Sequence, residues 1–303
     1  MTKNFVIICF ILISLSAFSQ RIILNGERNT DNSYQITYTK EMPGTYCIYL
    51  KFNSYENTIK PEHKFVVNDY SGILTVLRPI YKDKYIGLSY TYSYRRGIPN
   101  PDFDSTFVYL LPFRNGKKLE VRFMNYLGSK LFDEEEPKNW KSFQFISDQP
   151  DTVCAVRKGL VVKVTKDFAI DTSNVYSFSS KRNSVMVEHK DGTFAIYQGF
   201  NGDKIFVKEG DVVLPQQALG TLIQYDKKGN YQLRFAINFL IENPNEEFVN
   251  APKSRYEYLD PYFQTTDGIV KLSNRKKYEC RTSADIILKE LTKKEIKKLT
   301  QKK

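Results

Sequence analysis

Between Val153 and Leu240, short apolar runs alternate with polar turn residues. The runs are Gly159–Val164, Ser184–His189, Thr193–Tyr197, Ile205–Val207, Asp211–Val213, Ala218–Ile223 and Tyr231–Ile237. Each is of strand length and rich in β-branched or aromatic residues, which marks strands rather than helices. Gly, Asp and Asn bound them, notably at Lys190-Asp191-Gly192 and Asn201-Gly202-Asp203. Those residue types accept tight-turn geometry at little cost. Seven such runs at regular spacing predict one antiparallel sheet system, a sandwich or half-open barrel.

The first part of the chain repeats the pattern. Tyr34–Tyr38, Gly44–Leu50, Lys64–Val67, Gly72–Leu77 and Ile86–Tyr92 alternate polar with aromatic or aliphatic residues. Pro43-Gly44, Asn68-Asp69 and Lys82-Asp83 punctuate them. Residues 20–106 therefore read as a small β-sandwich of immunoglobulin type; the Cys–Trp–Cys hallmark is absent, so only the architecture is inferred. Arg95–Asp102 carries two prolines and a glycine and predicts an exposed loop near a domain boundary. Thr106–Phe113 leads into a second domain spanning 107–280, with Ile269–Leu272 as its closing strand. An all-β chain with a short C-terminal helix results.

From Ser283 the period changes. Ile286, Ile287, Leu291, Ile296 and Leu299 fall near helical spacing, with Ser283 placed to cap. Residues 281–303 form a basic tail, with seven lysines against three acids from Ala284 onward. Such a segment suits a weak contact with an anionic surface. The plainer expectation is a frayed terminus packed loosely on the body.

Composition changes the picture in three ways. Lys and Arg exceed Asp and Glu by 45 to 34, a formal charge of +11, but the excess is spread through every segment apart from the denser tail. That favours solubility in polyanionic surroundings such as a bacterial envelope over a nucleic-acid partner. One positive charge, an apolar run Phe5–Phe18, and small residues Ala17 and Ser19 read as a secretory signal over residues 1–19. The run is shorter than the ~20 residues of a spanning helix, and an uncleaved anchor is the alternative. An exported chain, periplasmic or extracellular, follows. Without that segment, Cys47, Cys154 and Cys280 remain. An odd count cannot pair completely, and Cys154 sits in an apolar run as a small buried hydrophobe.

Candidate chemistry is sparse. There is no internal repeat, glycine-rich phosphate loop, serine elbow or Cys–His nucleophile pair. His63 stands alone in Pro61–Lys64, and Asp133–Pro137 lacks the spaced oxygens of a calcium loop.

One ordered series does carry information. Val153-Cys154-Ala155 with Gly159 and Val161 comes first, then Val185–His189 with Gly192. Tyr197–Phe200 follows, then Val207–Val213 with Gln217 and Gly220, and last Gln232–Ile237. The series resembles the lysostaphin-type, or LytM-like, zinc endopeptidases of peptidoglycan, whose stretches read V-x-I-x-H-x-x-G, Y-x-H-L and H-L-H-F-E-V. It covers roughly the second half of the mature chain; the first half matches two-domain secreted members by architecture only. The resemblance implies a sandwich or half-barrel of duplicated-hybrid-motif type. In that family two histidines and an aspartate hold zinc, with a position open for water.

Here the aligned metal-holding and proton-transfer positions have changed. The H-x-H pair matches Gln232 and Arg234, two residues apart on one strand face. Leu233, Phe235 and Ile237 take the opposite face. The histidine of Y-x-H-L matches Gly199, the upstream aspartate Gln144, and the upstream histidine falls near Phe132. His189 matches a histidine that the family keeps outside the zinc shell. A guanidinium has no lone pair, and at a ligand position it repels Zn²⁺ by on the order of several kcal/mol. The resemblance therefore implies a non-catalytic relative without zinc. Gln144, Tyr197, Gln198, Gly199, Gln232 and Arg234 would line a ligand groove at the altered site. Its partner would be a peptidoglycan stem peptide or a cell-wall hydrolase. Two alternatives stay open: an active zinc peptidase recruiting metal through Asp133, Glu134 or His189, and a structural envelope protein without ligand.

Overall fold

In the computed structural model of the protein, the described residues are 22–126, 137, 139–168, 182–225, 230–242 and 256–300. The predicted signal segment, Phe132 and the acids Asp133–Glu136 lie outside them. The first unit has six strands: β1 (Ile22–Arg28), β2 (Tyr34–Lys40), β3 (Tyr46–Glu56), β4 (Lys64–Val67), β5 (Ser71–Leu77) and β6 (Gly87–Arg96). They form two three-stranded sheets, ordered β1-β2-β5 and β4-β3-β6. Ile22, Ile36 and Tyr38 from one sheet meet Tyr46, Ile48, Leu50 and Val67 from the other in a single core. Each such aliphatic side chain, fully buried, contributes about 1.5–3 kcal/mol. The sequence reading missed β1. Only Ile22 of that strand is buried, so it carries no alternation and is held by backbone pairing to β2.

The second unit begins with β7 (Val108–Leu110), β8 (Lys118–Phe123), β9 (Phe143–Ser147), β10 (Thr152–Cys154), β11 (Gly159–Thr165), β12 (Ser184–Glu188) and β13 (Phe194–Gln198). It continues through β14 (Phe200–Ile205), β15 (Val212–Val213), β16 (Ala218–Leu222), β17 (Tyr231–Leu240) and β18 (Tyr256–Tyr258). It closes with β19 (Tyr262–Thr265), β20 (Gly268–Lys271) and β21 (Lys276–Glu279). The main sheet runs β15-β11-β12-β13-β17-β9-β8-β21, with β18 paired to the far end of β17. Two small sheets, β10-β16-β14 and β20-β19-β7, complete the unit. Phe113, Phe143, Phe145, Tyr197, Phe235 and Phe263 lie at its centre, each at most 1% exposed. The all-β expectation holds, with two short helices. Pairing is antiparallel except between β7 and β19, which are parallel, a departure that alternation alone could not announce.

Cys47, Cys154 and Cys280 are buried free thiols. Burial raises their pKa values to about 11, 11 and 12, so they behave as small apolar side chains.

Two sequence expectations change here. Arg95 and Arg96 belong to β6, and the following segment is docked rather than exposed. Gly97 and Pro101 are buried. Gly97 has φ +107°, and a Cβ there would lie 2.9 Å from the Phe194 ring. Turn chemistry reads alike in a free loop and in a packed linker. Around it, the Thr45 N–H donates to Glu188 Oε2 (2.9 Å) and Arg96 Nη1 to the Val162 carbonyl (2.9 Å). The Tyr256 hydroxyl donates to the Arg96 carbonyl (3.0 Å).

The tail is likewise anchored, by ion pairs at Glu290 and Glu295. It folds as α1 (Ala284–Leu288) and α2 (Lys293–Thr300), not one helix. Ser283 occupies the cap position without making the side-chain bond. α2 opens on a capping box, in which the Thr292 N–H donates to Glu295 Oε2 (2.7 Å) and the Glu295 N–H to Thr292 Oγ1 (3.3 Å). Between the helices, Glu290 takes two bonds from Arg157, at 2.8 and 2.6 Å. Arg157 is 5% exposed, stacks 3.8 Å from the Phe107 ring centroid, and also holds Asp191 at 2.6 Å. Lys158 pairs with Glu295 at 2.8 Å.

His189 packs beside this cluster, 2% exposed. Thr193 Oγ1 spends its proton on Asp191 (2.7 Å), so His189 Nδ1 must carry hydrogen in its 2.9 Å contact with Thr193. Nε2 is buried and has no hydrogen-bond partner among the described residues. Burial, then the Arg157 charge, pushes the His189 pKa down to about 3. A group depressed from ~6.5 stabilises fully above that pH and loses its contribution as pH falls toward the folded value. Urea midpoints should therefore drop between pH 7 and 4, and His189→Gln should flatten that dependence. Arg157→Met strands two carboxylates and should cost about 3–5 kcal/mol in the same assay.

Candidate functional site

β17 decides which side chains can meet. Its residues alternate faces, and Leu233, Phe235 and Ile237 point into the core. Gln232 and Arg234 take the other face. Arg234 lies opposite Gln198 of β13 on one side and Gln144 of β9 on the other. Gln198 in turn lies opposite Ser184, and Gln144 opposite Arg122. One polar row, Ser184–Gln198–Arg234–Gln144–Arg122, thus crosses five strands. The Gln144 and Gln232 amides meet diagonally across it, as neighbours two residues apart in register can.

Arg182, just before β12, completes the cluster. With its amide oxygen turned to that side, Gln232 accepts from both Arg182 terminal nitrogens, at 3.1 and 3.0 Å. Burial, then the neighbouring Arg234, lowers the Arg182 pKa to about 10. Burial also lowers that of Arg234. Arg182 remains protonated at neutral pH, and arginine side chains stay charged there as a class. The site therefore concentrates cationic guanidinium groups over a sheet face, with amides beside them. Gln232 is only 3% exposed, so the row is a half-buried shelf rather than an open groove floor.

Of the sequence-predicted residues, Gln144, Gln198, Gln232 and Arg234 come together. Tyr197 does not. It faces the core, fully buried, with its hydroxyl accepting from the Val156 N–H at 3.0 Å and its ring 5.1 Å from Phe235. Adjacent strand residues cannot share a face, so pairing Tyr197 with Gln198 was inconsistent with the two-residue period. Gly199 is beside the site but offers no group. At φ +121°, a Cβ would sit 2.4 Å from the Gln232 carbonyl oxygen, so no side chain stands there. Arg182, Arg122 and Ser184 were missed. The last two follow from register alone, and Arg182 had only its place ahead of β12 to point to it.

These groups do not suit Zn²⁺. Two neutral amides and guanidiniums offer no anionic or imidazole donor. No group of three or more His, Cys, Asp and Glu comes together among the described residues. His189 is no recruit for such a site, since it lies past the far end of β12 from Ser184 and bonds Thr193. Asp133 and Glu134 lie outside the described residues.

No family model matches the chain, and no curated protein does. The likenesses to solved structures are weak, and three serve as examples. One is an M23 metalloprotease, pseudoalterin, from the deep sea: TM-score 0.32, 15% identity, covering 59% of this chain and 97% of that one. A second is a zinc-containing peptidase from Vibrio cholerae: TM-score 0.27, 14% identity, 68% of this chain and 52% of that one. A third is Csd3 from Helicobacter pylori: TM-score 0.27, 9% identity, 78% and 77%. Scores and identities this low carry no weight for activity.

The packing at Gly199 is directly testable. Gly199→Ala should cost about 2–4 kcal/mol from the forced φ and the collision with β17. Gly116→Ala, at φ +81° with nothing within 4 Å, should cost about 1–2 kcal/mol. Equal urea midpoints for the two variants would contradict the close approach.

Proposed function

We propose that the second unit is a peptidase-type frame used for binding rather than hydrolysis. The observation that supports this reading is the seat of Arg182 on the Gln232 amide beside Arg234. Gln232 and Arg234 stand where the resembling family places its H-x-H pair; Arg182 joins them from the segment before β12. Guanidinium groups flanked by amides suit a carboxylate, which an arginine fork can hold through two parallel bonds. The chain is exported, and its ligand is a carboxylate-bearing peptidoglycan stem peptide or the acidic surface of a cell-wall hydrolase. It needs no zinc.

Purified sacculi test the reading. Wild-type protein should be retained, and Arg182→Ala and Arg234→Ala should each weaken retention at least about tenfold, the effect of ~1.4 kcal/mol. Circular dichroism melts control for folding. Unchanged retention in both folded variants would overturn the site. Zinc content is the second arm: stoichiometric metal together with chelator-sensitive muropeptide cleavage would establish an enzyme instead.

A further inference from the structure

A cavity of about 810 Å³ shares no lining residue with the arginine row. It is walled by the linker at Asp104–Thr106, the segment around Trp140, and the stretch from Tyr258 to Tyr262. Its volume is in the range of small-molecule sites. Trp140 is half-buried and fixed from several sides. Its indole N–H donates to the Met124 carbonyl at 2.7 Å, and Tyr258 and Tyr126 approach its ring at 4.6 and 5.0 Å between centroids. With the polar edge spent on the backbone, what the ring offers the cavity is apolar.

The charged groups are fixed as well. Asp260 lies between Lys141 (3.2 Å) and Lys271 (3.5 Å). Lys141 in turn sits 3.8 Å over the Phe123 ring, and Lys271 5.1 Å over Tyr262. Asp104 is held by the Thr106 N–H and hydroxyl. Two carboxylates therefore balance two ammonium groups along the wall. A balanced wall favours neither an anion nor a cation. It favours a neutral ligand rich in hydroxyls, which both signs can hydrogen-bond.

The flat aromatic surfaces narrow the class further. The C–H face of a pyranose carries partial positive charge and meets the negative face of an aromatic ring. A peptide that binds by strand addition would ask for a long free edge, whereas β18 has three residues and Pro261 follows soon after. We infer that this cavity is a binding site for a neutral saccharide, with a sugar ring against Trp140 and Tyr258 and its hydroxyls on Asp260 and its lysines.

Trp140 is the single tryptophan of the chain, so indole emission reports this cavity. Full-length protein should be titrated with chitotriose, cellotriose and maltotriose, and separately with a neutral extended hexapeptide. A saturable emission change with at least one sugar is expected. Asp260→Asn and Tyr258→Phe preserve shape; the first should weaken that sugar at least about fivefold, and the second should leave it within about twofold. Arg234→Ala should leave the titration unchanged, which separates this site from the carboxylate site. No emission change with any of the three sugars would overturn the assignment. So would a sugar response indifferent to Asp260→Asn in a folded variant, or a response to the peptide alone.

Discussion

Everything in the second unit depends on the two-residue period of β17. The strand is hydrogen-bonded to β13, β9 and β18, so its register sets the register of the centre of the sheet. Its inward residues fix the core, and the same constraint fixes which residues occupy the outer face. A slip of one residue would bury Arg234 among phenylalanines and expose Phe235, and both changes are costly. The polar row is thus positioned by the aromatic core behind it. That coupling lets the outer-face residues vary while the frame stays intact.

Buried charge plays a corresponding part at the edges. Arg157 joins β11's approach, the Lys190–Gly192 turn and the C-terminal helices through Asp191 and Glu290. Glu188 reaches across to the first unit at Thr45. In the same neighbourhood Lys40 is 4% exposed and donates to the Met42 and Gly44 carbonyls, at 3.0 and 2.7 Å. These ions are satisfied, which is the condition under which burial is tolerated. They specify where the parts dock more than they add stability.

Much of this was legible in the residues. Strand-length alternation located most strands of both units, and the separation of Leu233, Phe235 and Ile237 from Gln232 and Arg234 was readable from the period. Tyr197 was misplaced because its position in a motif outweighed its parity on the strand. β1 escaped because one buried residue makes no pattern. The docked linker and the clamped tail escaped for another reason: their partners, such as Phe194 and Arg157, lie far away in sequence, and local composition cannot report them. Arg182 belongs to the same class.

The parallel pairing of β7 with β19 has a bearing on how the chain is made. Val108 meets Tyr262, Lys118 meets Glu279, and Arg157 meets Glu290, 133 positions on. Strands near the start of the second unit therefore wait for segments far downstream before their edges are covered. Contacts this distant in sequence form slowly, and open edges invite wrong partners meanwhile. Such a fold favours delayed pairing, in which the early strands stay unengaged until segments far downstream can reach them.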